Sequence, residues 1–392
     1  MPAQIGLKLR ESVKAHGVSK AADIFREALA AKKFSREDIS LREMAENMIG
    51  SNWADTLKNY AGRLRESVEA VDSSGFSAIT GQLLIDTIRE KYKLATFITD
   101  EMFTVAKISN GNLGTQIEPY LSDVTDDPGV VNQGQPYPAT AFTGQYVTYP
   151  APEKYGRICR VTFEMIYSDL TGQVLDSAAS VGTRVGLWVE EKRLRVAFGL
   201  TNPFNWNGTA YNTYLTTGSW INKLTDFTLT NWTSVNRIEQ LFAKMTDPVT
   251  GKPIDLDANG MVVMPTLKYT AKRILNATEV RSGDVTSGTG DQVISANPLD
   301  TNYKLMTSKH ARAQVVGFGA VTEAITDTYV LTGDFKKGLL WREVFPMQTV
   351  QAPPQSQEEF NQDVVLQVKG NVYGVAAVRE PRALVLAYNA SA

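Results

Sequence analysis

One cysteine, Cys159, and two histidines, His16 and His310, are all the thiol and imidazole chemistry in these 392 residues. A lone thiol excludes an intrachain disulfide and a thiolate metal cluster. Two histidines set most of the chain apart leave an imidazole-built metal site, and a serine or cysteine triad, without their parts. There is no Gly-x-Ser-x-Gly elbow. A run of about 18 apolar residues and a basic-then-apolar leader are also missing, so neither a bilayer span nor a secretory route is expected. The expectation is a soluble chain made in a reducing compartment, and the sequons at Asn207, Asn231, Asn276 and Asn389 then carry no weight. Charge of one sign is absent too: the formal net charge is −2, with 21% charged residues. That removes any bulk electrostatic drive toward nucleic acid and leaves contact with DNA weak, local or one-sided. Apolar content of 43% in a chain this long suffices for two or three compact regions with a real core.

Several short patterns imitate chemical sites and fall short of them. Asp255, Asp257, Asn259 and Gly260 begin like a calcium loop, but Thr266 stands where a bidentate Glu belongs and a strand follows, so a turn is read there. The glycines at 283–290 lack the Lys-Ser/Thr ending of a phosphate loop, and Gly317-Phe318-Gly319 lacks a third glycine in register. Cys159 is read as a small packed side chain rather than a nucleophile. Lys32-Lys33 and Lys336-Lys337 are read as solvated faces.

What the chain does have is a strand that runs into one long helix. From Tyr155 to Phe163, residues Tyr155, Arg157, Cys159, Val161 and Phe163 alternate with Gly156, Ile158, Arg160 and Thr162, the period of a strand. Ser168-Asp169 offers an N-cap, and Leu170, Val174, Ala178, Val181, Val185 and Trp188 recur at steps of three and four up to a stop at Gly199. About thirty residues at ~1.5 Å each make a helix of roughly 45 Å. Gly172, Gly182 and Gly186 each cost about 1 kcal/mol relative to Ala, which makes sense only where something packs closely on that face. Such an element is a spine, not a catalytic scaffold.

Around it, residues 1–72 read as polar-faced helices. One stripe is Ile24, Phe25, Ala28 and Leu29; a cleaner one, Leu41, Met44, Ala45, Met48 and Ile49, opens on the capping box Ser40–Glu43. Asp72 to Gly75 reads as a hinge. An arm follows, with Leu83, Leu84, Ile85 and Ile88, then Phe97, Ile98, Met102 and Phe103. From Gln116 to Pro152 the turn at Asp126–Gly129, the extended Gly134–Pro138 and the alternation at Tyr146 and Thr148 predict, with 155–164, a long two-armed hairpin. Such an excursion is marginal alone and is expected to lie across another subunit or another part of the body. Thr201 to Trp220 reads as irregular structure or short strands. Helix, turn, strand (Met261–Pro265) and helix follow over 232–275, then a loop at 281–290. Strands are predicted at Thr328–Thr332, Leu339–Phe345, Val364–Val368, Tyr373–Val378 and Ala383–Leu386, with apolar runs implying burial on both faces.

This order of elements resembles tailed-bacteriophage major capsid proteins of the Hong Kong 97 (HK97-like) fold. The resemblance is carried by Gly134–Pro138, by Lys154–Met165 running into the helix to Gly199, by Val262–Pro265, by Leu331–Phe335, and by the closing segments Phe360–Lys369 and Tyr373–Leu386. It covers about residues 76–390. It implies an α+β fold: an N-terminal helical, scaffold-like extension (1–72), an N-arm (73–115), an extended hairpin loop (116–166), the spine helix of a peripheral domain (167–200), an axial domain (201–325) and closing strands of both domains (326–392). It also implies a non-enzymatic shell subunit without cofactor or metal, found in the virion and made in the host cytoplasm. Its partners would be copies of itself in hexamers and pentamers, portal, scaffold or decoration proteins, and packaged double-stranded DNA through weak non-specific contact, with no membrane. Subunit-contact candidates are Tyr137, Phe142, Tyr146 and Tyr149 on the hairpin, Arg157 and Glu164 at its base, Phe97 and Phe103 on the arm, and Lys154 where a loop reaches a neighbour. Each aromatic can equally pack within its own chain. The alternatives are an encapsulin-type nanocompartment shell, a carboxylate-based enzyme using the 200–320 region, and a β-rich adhesin or tail component.

Overall fold

The computed structural model describes residues 11, 12, 15, 16, 20, 24, 27, 40–49, 53–58, 68–94, 97–108, 113–120, 131–134, 144–169, 173–218, 220–247, 251–283, 292–297, 299, 303–319, 321–352 and 363–392. They fall into two compact units, each stitched from three stretches of chain. No helix among the described residues is long and apolar enough to cross a membrane.

The first unit takes Met1–Thr96, Lys154–Trp188 and Phe345–Tyr373. Its core joins the helix Leu41–Ile49, the 27-residue helix Val68–Leu94 and the first part of the 25-residue helix Gln173–Ala197. The predicted face of that last helix is present: Val174, Ala178, Val181 and Val185 are buried. Gly182 is the notch. A methyl group there would run into the backbone carbonyl of Ile88, so the two helices approach backbone to backbone.

Four readings change here. The helix Val68–Leu94 runs straight through Asp72–Gly75, so the predicted hinge, and the division at 72/73, fall inside a helix. A helical glycine costs about 1 kcal/mol and a serine less. Full burial of one side chain such as Phe76, at 1% exposure, contributes about 1.5–3 kcal/mol, and Ile79, Leu83, Leu84 and Ile88 add to it. The predicted strand ends at Thr162, since Phe163–Ser168 forms a short helix, and the long helix is described from Gln173 onward. Asp169 caps a different helix: its Oδ2 accepts from Leu41 N at 3.0 Å, and its carbonyl accepts from Ser40 Oγ at 2.6 Å. Ser40 Oγ in turn accepts from Glu43 N at 3.4 Å, as a capping residue should. Finally, the two closing strands 364–368 and 373–378 are one, Val364–Val378. Gly370 lies within it, with the end of the Met347 side chain packed where a Cβ would be.

The strand Glu153–Thr162 neighbours that long strand, and Gly156 packs against Gly370 O and Asn371. Cys159 and Val161 face inward, while Ile158 stays 46% exposed. The segment therefore belongs to this sheet and is not an arm of the hairpin.

The second unit takes Phe97–Glu153, Val189–Val344 and Gly374–Ala392. Its centre is a five-stranded mixed sheet ordered Lys304–Thr307, Gly260–Val263, Val330–Gly333, Leu384–Ala387 and Lys223–Leu224. The first two strands pair in parallel (Lys304↔Gly260), and Val330–Gly333 runs antiparallel to both of its neighbours. Its three middle strands are buried at every residue, as two-sided apolar runs demand. The helix Trp232–Ala243 sets Val235, Ile238 and Phe242 inward, opening on Asn231, whose side chain accepts from Ser234 N. The loop expected at 281–290 is partly strand: Glu279–Gly283 pairs with Gln292–Ala296.

Candidate assembly surface

The hairpin exists, with arms Gln116–Tyr120 and Gln145–Tyr149 in register Gln116↔Tyr149 to Tyr120↔Gln145. Its inner arm is pinned within its own unit. Val147 and Thr148 pair with Trp206 and Asn205, and Phe204–Trp206 turns back onto Thr209–Tyr211. The turn is Asn207-Gly208, at φ 50° and 79°, the left-handed pair that a two-residue hairpin of type I′ requires. Asn207 also reaches sideways: its Oδ1 accepts from Tyr146 N at 2.9 Å, and its own N–H donates to Tyr146 O at 2.9 Å. The 201–220 stretch is thus a platform that holds the base of the hairpin. The Asn-Gly dipeptide was the signal for it.

The outer arm is the end strand of this sheet. Pro119 lies in it, a residue suited to an edge because it has no N–H to donate. Ile117 is 66% exposed there. The strand Thr104–Lys107, parallel to Leu340–Glu343, is likewise an end strand, with Val105 53% exposed.

The contact candidates separate. Tyr149 is buried within its own unit, under the Arg342 guanidinium at 5.0 Å from the ring centroid. Burial, then Glu118 beside it, holds its phenol above the usual range. Phe103 is also buried, with Arg193 5.8 Å from its ring. These two are corrections: both spend their apolar surface at home. Tyr146 and Phe97 are half-buried, while Lys154, Arg157 and Glu164 are exposed. Lys154 Nζ lies 5.8 Å from the Phe345 ring centroid. Tyr137 and Phe142 lie outside the described residues. On and between these two end strands, the exposed apolar residues outside the predicted contacts are Val105, Leu113 and Ile117. For Val105 the signal was the alternation of an end strand, half-buried and exposed in turn over Thr104–Lys107.

Next to Phe103, the short helix Thr99–Met102 is clamped by Glu190 and Arg193. Glu190 accepts from Thr99 N at 3.3 Å and from the Thr99 hydroxyl, and Arg193 Nη1 donates to Asp100 Oδ1 at 2.5 Å. Burial pushes the Glu190 carboxyl up, opposed by these hydrogen bonds. In the 200–320 region Glu239 is raised by burial and then by Asp257, a pair rather than a convergent site. Among the described residues, no three His, Cys, Asp or Glu side chains stand together as a metal site would need.

Two end strands bearing exposed apolar residues, a hairpin anchored at its base and a glycine-notched long helix are the features the chain presents, with no cluster of catalytic or metal-binding groups among the described residues. The profile of the phage capsid protein family matches residues 145–387, and the chain belongs to that family. No curated protein matches the sequence. Among solved structures, the chain is similar to the cyanophage Pam1 capsid at 12% identity and TM-score 0.48, over 74% of this chain and 89% of that one. It is similar to a Mycobacterium phage Ogopogo chain at 15% identity and TM-score 0.44, over 75% and 92%. It is also similar to the virus-like particle of Pyrococcus furiosus at 8% identity and TM-score 0.41, over 79% and 99%.

Proposed function

We propose that this chain is the major subunit of a tailed-phage head: an HK97-like shell protein that assembles as hexamers and pentamers around double-stranded DNA. The observation that carries the reading is the phage capsid family match over 145–387. The exposed edge residues Ile117 and Val105 support it, since such strands are templates for pairing with another chain. In this reading the extended loop is 116–149, the spine is the helix from Gln173, and the axial domain is built on the five-stranded sheet. Tyr146, Phe97, Lys154, Arg157 and Glu164 remain the candidate contacts between copies. Nothing in the reading calls for a catalytic step. A match to phage capsid proteins does not favour the nanocompartment alternative. The subunit would be made in the host cytoplasm and end in the virion, where DNA contact is weak because the chain carries no excess of positive charge.

The test is particle formation by the purified full chain, followed by light scattering and negative-stain microscopy. Closed shells, or rings of five and six subunits, are expected. A strictly monomeric protein at high concentration, across salt, pH and crowding conditions, would refute the proposal.

A further inference from the structure

Between the end strands Thr104–Lys107 and Gln116–Tyr120 lies a cleft of about 330 Å³, with Lys107, Gln116, Ile117, Glu118 and Arg342 in its lining. Arg342 is the unusual member. It is 2% exposed, and its Nη1 is buried without a hydrogen-bond partner. The Tyr149 ring covers one face of the guanidinium, and Glu118 attracts it without forming an ion pair. Glu118 also lies beside the Tyr149 hydroxyl. A buried guanidinium short of acceptors is strongly unfavourable unless a hydrogen-bonded counter-ion completes it. Lys107 stands exposed at the same cleft. Lys107 and Arg342 against Glu118 give +2 − 1 = +1, so one further negative charge balances the site.

We propose that this cleft is a carboxylate socket, closed by an Asp or Glu side chain of a second copy of this chain. The proposal rests on the shell reading above and deepens it by naming a contact that is incomplete within one subunit. The planar guanidinium fork matches a carboxylate, and a singly charged group balances the cleft where a doubly charged phosphate would be repelled by Glu118. The walls are two strands that end their sheets among the described residues, with exposed Ile117 and Val105 in them, so an arriving segment finds strand edges and apolar surface together with the charge.

The test uses shells assembled from the full-length chain. In a high-resolution reconstruction, a carboxylate of a neighbouring subunit is expected within hydrogen-bonding distance of Arg342. Particles whose cleft holds water, a buffer anion or a segment of the same chain overturn the socket and leave the shell reading standing. Absence of particles overturns both. Because substituting Arg342 risks misfolding, the companion variant is Lys107→Glu, on an exposed side chain. It should raise the concentration needed for assembly at least about tenfold by placing like charges together, with the melting of the unassembled chain unchanged. Wild-type assembly by Lys107→Glu sinks the proposal.

Discussion

Gly182→Ala asks whether the long helix is notched for a reason. On helix propensity alone, alanine should stabilise this position by about 1 kcal/mol. The structure predicts the opposite sign, because the new methyl meets the Ile88 carbonyl, a backbone atom that cannot rotate away. To admit it, the helices Val68–Leu94 and Gln173–Ala197 must part, loosening Leu84 and Ile88 from Ala178 and Val181. Overpacking of this kind costs about 1–3 kcal/mol, more when backbone must move, so a net loss of about 2 kcal/mol is expected. At about 2–4 °C per kcal/mol for a unit of this size, the unfolding midpoint should fall by roughly 4–8 °C. Calorimetry on the unassembled chain reads this directly. Gly317→Ala is the control, since that glycine sits in the helix Lys309–Phe318 with nothing within 4 Å of the added methyl. It should be neutral or stabilising by up to about 1 kcal/mol. If both substitutions raise the midpoint, the close approach of the two helices is wrong.

Asp169→Ala should cost about 1 kcal/mol by uncapping Leu41–Ile49, and limited proteolysis should then cut first near residue 40; a cut pattern identical to wild type would argue against the cap. Three phenols report on alkaline stability. Burial pushes Tyr329 up to about 12 and holds Tyr149 and Tyr214 above their usual range. Their folded values exceed the unfolded value near 10, so the stability they contribute is complete below about pH 10 and is lost as pH rises toward 12. Phenolate absorbance should therefore show these groups ionising only as far-ultraviolet dichroism is lost. A single titration of all 15 tyrosines near pH 10 with the fold intact would contradict their burial.

The long helix was readable because its signal is local: Val174, Ala178, Val181 and Val185 repeat within the element that buries them. The fully buried strand Gly260–Val263 was readable for the same reason, as an apolar run continuing through Met264. What failed was decided at long range. Asp169 looked like a cap for the next helix, yet the amide it binds belongs to Leu41, 128 residues away. Asp72 to Gly75 looked like a hinge because local propensity was weighed without the burial of Phe76 and Ile79 behind it. Tyr149 and Tyr146 sit three apart on one strand, so alternation puts them on opposite faces but cannot say which is covered; it is Tyr149, under Arg342, while Tyr146 is half-open. Nothing near Arg342 in the sequence marks it as a buried charge.

The burial of Tyr149 and Phe103 also changes where assembly energy can come from. Ile117, Val105 and Leu113 are 66%, 53% and 47% exposed. Covering each contributes about 1 kcal/mol, or roughly 3 kcal/mol for the group. That is less than the 4–15 kcal/mol or so that association costs in translational and rotational freedom, so these edges alone cannot hold two copies together. A closed lattice changes the balance, because once a subunit is held by one neighbour its remaining contacts form at high effective concentration. On the shell reading, dimers and trimers should be nearly absent, with monomer or single capsomers giving way abruptly to particles above a threshold concentration. Sedimentation velocity across that threshold distinguishes the two cases. A smooth ladder of small oligomers would mean that a strong pairwise interface exists somewhere else on the chain.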